Sequence, residues 1–192
     1  MVAARWDWTL SDLLQPQMDN APVFKITLIG AERVGKSLLV TTYINELGTD
    51  FRHVSEGTDL RTTVVNAPRH QAQITLWDMA GRDRYHRLRD QIFVGAHAVA
   101  LIYDVTSPSS FFDLMSWRDT IQGIAPRVPM IVIGNKIDLP TVVPPEEVRG
   151  WSEANGLTFW LTSAVTGEGV MNAFEHLSDI AALEYKRRGA GG

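Results

Sequence analysis

The stretch Val23-Phe24-Lys25-Ile26-Thr27-Leu28-Ile29-Gly30-Ala31-Glu32-Arg33-Val34-Gly35-Lys36-Ser37-Leu38 decides the fold. Val23 to Ile29 is an apolar run that reads as a strand, and Gly35 to Asn45 reads as a helix opened by the glycine turn between them. The spacing of Gly30, Gly35, Lys36 and Ser37 is that of a phosphate-cradling loop, and a strand before and a helix after are the context such a loop requires. Glycine at both ends lets the backbone wrap a phosphate with its N–H groups pointing inward, helped by the positive end of the helix. Lys36 adds a mobile positive charge for the β and γ phosphates, and the Ser37 hydroxyl is a candidate magnesium ligand. Glu32, Arg33, Val34 and Leu38 complete the candidate nucleotide-binding residues of this stretch. An isolated motif of this kind is often only a strand-to-helix turn with an exposed lysine; its flanks argue against that here.

Outward from this loop, strands and helices alternate. Leu60 to Val65 and Gln73 to Trp77 are alternating runs separated by the polar Pro68-Arg69-His70, which predicts a hairpin. Ala98 to Tyr103 and Met130 to Ile133 are apolar, β-branched runs of the kind buried in parallel sheets. Helices are expected over Phe111 to Gly123, Glu146 to Asn155 and Val170 to Lys186. The alternation points to an α/β sheet covered on both faces. The boundaries read as an N-terminal extension and linker over 1–22, one domain over 23–186 and a flexible tail over 187–192, with Tyr185-Lys186-Arg187-Arg188 expected to fray.

Three further elements carry chemistry. Asp78 ends the strand before Met79-Ala80-Gly81, where a carboxylate can hold a water of a magnesium shell. Gly81 lets its backbone N–H approach a γ-phosphate. Asn135-Lys136-Ile137-Asp138 follows the strand from Met130 to Gly134. Asp138 can accept from both N1–H and the exocyclic N2–H₂ of guanine, a pair of donors that adenine lacks, so adenine would strand the carboxylate. Asn135 can bond the base edge and tie its loop to the phosphate loop, while the Lys136 stem covers one face of the ring. Thr162-Ser163-Ala164 is small enough for the Ala164 N–H to reach guanine O6. Leu139 and Val165 flank these groups as further candidate contacts.

The order Gly30-to-Ser37, Asp78-to-Gly81, Asn135-to-Asp138 and Ser163-Ala164 resembles the Ras superfamily of small GTPases, over roughly Val23 to Glu184. Glu56-Gly57-Thr58-Asp59-Leu60-Arg61, Arg84-Tyr85, Gly95-Ala96-His97 and Tyr103-Asp104-Val105-Thr106 are most similar to its Rab branch. The resemblance implies a P-loop NTPase (Ras-like) α/β fold with a six-stranded, mostly parallel sheet flanked by helices on both faces. It implies GTP and GDP as ligands with Mg²⁺, catalytic roles at Lys36, Gly81 and position 82, and signalling or vesicle-trafficking work. It also implies two switch segments, near His53–Asp59 and Gly81–Arg89, ordered by the γ-phosphate and released on hydrolysis. Effector, exchange-factor and activator proteins would meet the chain there.

Several positions depart from the family pattern. The switch-one threonine that ligates magnesium falls on Ser55, whose hydroxyl can do the same chemistry; Thr58 is the off-register alternative. The aromatic that caps guanine falls on Gly48, with Phe51 close enough to substitute. The glutamine that orients the attacking water is Arg82, which has donors only and cannot accept a hydrogen bond from that water. Arg82 can instead stabilise charge on the transferring group as a finger in cis. Glu32 occupies the loop position usually kept small for a partner's arginine. Slow hydrolysis is therefore expected, and a nucleotide-binding interaction module without turnover is the alternative. A metabolic P-loop kinase lacks an acceptor lid and is contradicted by Asp138.

Composition excludes other classes. At 192 residues and 21.4 kDa the chain fits one domain. Its net charge of −4 and pI near 5.7 argue against nucleic-acid binding led by phosphate neutralisation. With no cysteine there is no thiolate metal site, prenylation or palmitoylation. Val2 stands where myristoylation needs glycine, so no lipid anchor is expected. The sequence reads as a cytoplasmic protein, peripheral to membranes only through partners. Trp6, Trp8, Leu10, Leu13 and Leu14 can line one side of a short amphipathic helix capped by Thr9 or Ser11. Asp7 and Asp12 against the single Arg5 favour a protein contact over an anionic membrane.

Overall fold

The computed structural model describes residues 21–48, 51–56, 60–70, 72–79 and 92–189, of which 52–56, 60–61, 68 and 78–79 are described in backbone alone. The Trp- and Leu-bearing extension over 1–20 lies outside the described residues. The strands are β1 (Val23–Gly30), β2 (Phe51–Glu56), β3 (Leu60–Ala67), β4 (Ala72–Met79), β5 (Ala98–Asp104), β6 (Met130–Asn135) and β7 (Thr158–Thr162). The α-helices among the described residues are α1 (Lys36–Leu47), α2 (Pro108–Ile124), α3 (Pro145–Ala154) and α4 (Val170–Gly189).

One sheet runs in the order β2-β3-β4-β1-β5-β6-β7. β1 pairs in parallel with β4 and β5, and β5, β6 and β7 continue in parallel. β3 is antiparallel to β4, joined through the short turn Pro68–His70, as the hairpin pattern requires. The expected six-stranded, mostly parallel sheet is present, and β2 extends it at one edge as a seventh strand, antiparallel to β3. The spacing of Phe51–Glu56 gave no such strand: its polar alternation is weak, and the ladder with β3 supplies what local propensity does not. The register slips between His53 and Ser55, a bulge that turns the edge strand.

β5 shows why the runs are uninterrupted. All seven of its residues are buried, and its side chains divide by parity. Ala98, Ala100 and Ile102 join the core under α1 and α4, while Val99, Leu101 and Tyr103 join the core under α2 and α3. Each fully buried Ile or Leu in such a strand contributes about 1.5–3 kcal/mol. Gly30 at the end of β1 must be glycine, because a Cβ there would collide with the Ile102 carbonyl on β5. Helix starts follow local rules: Pro108 and Pro145 occupy first-turn positions, where their missing N–H costs nothing.

Tyr185 to Arg188, expected to fray, lie in the last turns of α4. α4 continues to Gly189, beyond the boundary placed at Lys186. The reason is Glu184, only 6% exposed. Arg187 and Arg188 both grip its carboxylate at 2.7 Å, and Arg188 also donates to the Ala96 carbonyl at 2.6 Å. These bonds hold the Glu184 carboxyl down at about 2, the Arg187 bond leading and outweighing burial. The last turn is fastened to the turn before β5.

Candidate functional site

The candidate site lies where β1, β5, β6 and β7 end. After β1 the chain turns into α1 on one face; after β5 it turns into α2 on the other. Adjacent parallel strands whose connections leave in opposite directions open a crevice at their carboxyl ends, the usual ligand position in open α/β sheets. Gly30 to Gly35 bridges β1 to α1 along this crevice, and Asn135 at the end of β6 bonds to Val34 across it.

At the phosphate end, Val34 is buried and Glu32 and Arg33 are exposed. Lys36 is 6% exposed and its ammonium donates to the carbonyls of Gly30 at 3.1 Å and Ala31 at 2.9 Å. The charge thus sits inside the curve of the loop. Gly35 has φ 99°, and a Cβ on it would run into Asn135 Nδ2. Among the described residues, the non-glycine residues with positive φ are Arg33 at 64° and Lys136 at 74°, one at each end of the site. Backbone strain of this kind gathers at ligand sites, where the surroundings over-determine it. Ser37 and Leu38 are exposed in the first turn of α1.

The base end is a closed network around Asn135, which is 1% exposed. Its Nδ2 donates to the Val34 carbonyl at 2.9 Å, tying the two loops together as expected. Its Oδ1 accepts from the Ala164 N–H at 3.0 Å and the Thr162 hydroxyl at 3.2 Å. Asn135 therefore spends most of its capacity as a brace rather than as a reader of the base. The Ala164 N–H, expected at guanine O6, is engaged by Asn135 in this structure. Ser163 Oγ donates to Asp138 Oδ1 at 2.6 Å and accepts from the N–H groups of Val165 and Thr166. Ser163 thereby fixes the orientation of the Asp138 carboxylate at the end of the loop. Leu139 and Val165 are exposed beside it.

Lys136 Nζ lies 2.6 Å from Asp104 Oδ2. Asp104 and Thr106, noted in the sequence only for their Rab-like pattern, thus join the site. An Asp-x-Thr at a strand end, whose carboxylate can bond the N–H two residues on, was the available signal.

Asp78 falls at the end of β4, its backbone paired with Leu28 of β1 and Arg61 of β3. Ser55 lies in β2 opposite Thr62. The side chains of both lie outside the described residues, as do Gly81 and Arg82 entirely. Gly48, at the family's aromatic position, closes α1 with φ 62° and bonds its N–H to the Ile44 carbonyl. The helix end demands a left-handed residue there, which explains the missing ring. Phe51, its possible substitute, is 45% exposed at the start of β2.

A phosphate cradle and a braced carboxylate on a sheet of this order define a nucleotide-binding α/β domain of the P-loop class. Comparison with known proteins narrows the class. The Ras family model matches residues 25–182. The chain is 32% identical to Ras-related protein Rab-7a of Paramecium octaurelia over 173 residues, 85% of this chain and 84% of that protein. It is 34% identical to Ras-related protein Rab7 of Drosophila melanogaster over 167 residues, 83% and 80% of the two chains. It is 30% identical to GTP-binding protein YPTM2 of Zea mays over 164 residues, 84% and 80%. The chain belongs to the Ras family and is a Rab-like small GTPase domain, a nucleotide-binding switch by kind. No helix among the described residues is long and apolar enough to cross a membrane.

Proposed function

We propose that this domain binds GTP and GDP with Mg²⁺, hydrolyses GTP slowly and recruits effector proteins through its switch segments. The observation that carries the guanine reading is Asp138: Ser163 fixes its carboxylate through one oxygen at 2.6 Å, leaving a lone pair on each oxygen to meet the paired donors of a guanine edge. Lys36 and the backbone of residues 30–35 take the phosphates. Ser37, Ser55 and, through water, Asp78 are the magnesium ligands of this reading, a set of hard oxygen donors that suits the ion. Bound there, Mg²⁺ neutralises charge on the β and γ phosphates. Leu38, Leu139 and Val165 pack around the nucleotide, with Phe51 the candidate cap on the base. Rab-type vesicle trafficking, in a cytoplasmic protein brought to membranes by partners, is the cellular role that fits, with exchange factors and activators as regulators.

Slow hydrolysis rests on Arg82, which offers no acceptor to an attacking water. Arg82→Gln restores one and is expected to speed single-turnover hydrolysis of preloaded GTP. Unassisted hydrolysis in such domains runs at about 3–5 × 10⁻⁴ s⁻¹, and a supplied arginine adds roughly 10³–10⁵-fold. Wild-type turnover at or below the unassisted scale, rising in the variant, supports the reading. A fast wild type crippled by the change makes Arg82 a finger in cis. No turnover in either form favours a nucleotide-binding interaction module, the reading that Glu32 and Arg82 keep open.

A further inference from the structure

We infer that Asp104 is a positioning residue for base binding: from the end of β5 it pins the Lys136 ammonium, holds the Lys136 stem in place over the base face, and thereby sets how long a guanine nucleotide stays bound. The inference rests on the guanine-nucleotide reading above and adds to it a residue outside the four sequence motifs.

The geometry is specific. Asp104 is 8% exposed and pairs with Asn135 across the β5–β6 ladder, so its side chain starts beside the base loop. Its two oxygens divide their work. Oδ1 accepts from both the N–H and the hydroxyl of Thr106, at 2.8 and 2.7 Å, while Oδ2 is left to Lys136 at 2.6 Å. The Ser110 hydroxyl, in the first turn of α2, accepts from the Asp104 N–H at 3.0 Å and fixes the backbone behind it. Val105 N–H reaches the Asn135 carbonyl at 3.0 Å, fastening the two strand ends. Burial raises the Asp104 carboxyl, but the bonds from Lys136 and Thr106 outweigh it and hold the group below the ordinary carboxylate value, ionised at neutral pH.

Lys136 needs such a hold. Its φ of 74° is a conformation that L residues leave readily. Its carbonyl accepts from Leu139 N–H at 3.0 Å, closing the turn that carries Asp138. A lysine stem covers an apolar face while its ammonium is held or solvated at the far end, and an ion pair there limits the conformations in which the stem lies. The pair is within the protein, so its loss reaches the nucleotide only through the placement of the stem, an effect read chiefly in the dissociation rate.

The role separates from base-edge reading. Asp138 meets the edge of the ring; the Lys136 stem meets its face, which guanine and hypoxanthine share. Asp104→Asn keeps an acceptor for Thr106 but removes the charge. Release of fluorescent GDP and of fluorescent inosine diphosphate is then measured by stopped flow with excess unlabelled nucleotide. Asp104→Asn is expected to speed both releases by the same factor, about tenfold, leaving their ratio as in the wild type. Lys136→Met keeps an apolar stem without the bridge, so it should speed release similarly, and the double variant should not exceed the larger single effect. Unchanged release from Asp104→Asn, additive effects in the double variant, or a shifted GDP-to-IDP ratio overturns the inference. If Asp104→Asn does not fold, Lys136→Met decides alone: release as slow as the wild type's overturns it. A wild type that binds no guanine nucleotide removes the underlying reading as well, and is told apart because it fails before any variant is compared.

Discussion

At the base end, side chains are held within the protein: Asn135 by Val34, Thr162 and Ala164, Asp138 by Ser163, Lys136 by Asp104. At the phosphate end, the loop is shaped by glycine and backbone, and its one buried cation bonds to carbonyls of the same loop. The contrast teaches where selectivity and turnover reside. A base edge is a fixed pattern of donors, best met by groups whose orientation is set in advance. A phosphate chain changes its charge and length during the cycle, so the groups that meet it must be free to change partners. On the guanine-nucleotide reading, base choice would rest on groups that the fold sets in advance, and hydrolysis on the switch segments.

Gly35→Ala attacks the joint between the two ends. The added Cβ meets a positive φ and the Asn135 amide together, a cost of about 2–5 kcal/mol. Both thermal stability and GDP affinity should fall, with affinity down about 100-fold in a fluorescence titration. A variant that binds GDP as tightly as the wild type would show that the two ends are independent.

Glu184→Gln is the smaller perturbation and acts away from both ends. The folded carboxyl sits at about 2 against an ordinary 4.5, so its stabilisation is present above pH 4.5 and lost as pH falls from there toward 2. Allowing for screening at the exposed guanidinium groups, the neutral variant should lose about 1–2 kcal/mol at pH 7, or roughly 2–8 °C of melting temperature. The difference should vanish near pH 2 while GDP affinity at pH 7 stays unchanged. A loss of GDP affinity would mean that the far end of α4 is coupled to the site.

Much of the site was legible because its signals are local. Gly30-to-Ser37 and Asn135-to-Asp138 are short runs whose spacing states their chemistry, and β5 announces its two-sided burial by the unbroken apolar run that precedes Asp104. What stayed hidden depended on distant partners. β2 becomes a strand because β3 offers it a ladder. Asp104 acquires a role through a lysine in the loop that follows the neighbouring strand. Arg187 and Arg188 resemble a solvated tail until Glu184, buried against the domain, is seen to hold them. Gly48 lost its family role for the opposite reason, a local one: it ends a helix.

The central claim, a guanine site read by a carboxylate set in advance, is tested most directly by Asp138→Asn. GDP and xanthosine diphosphate affinities are measured for both forms by titration calorimetry. The wild type should prefer GDP; the variant should lose about 3–6 kcal/mol for GDP as charge-assisted bonds disappear, and turn its preference to XDP, whose O2 carbonyl accepts from the new amide. GDP binding unchanged in the variant would contradict the account.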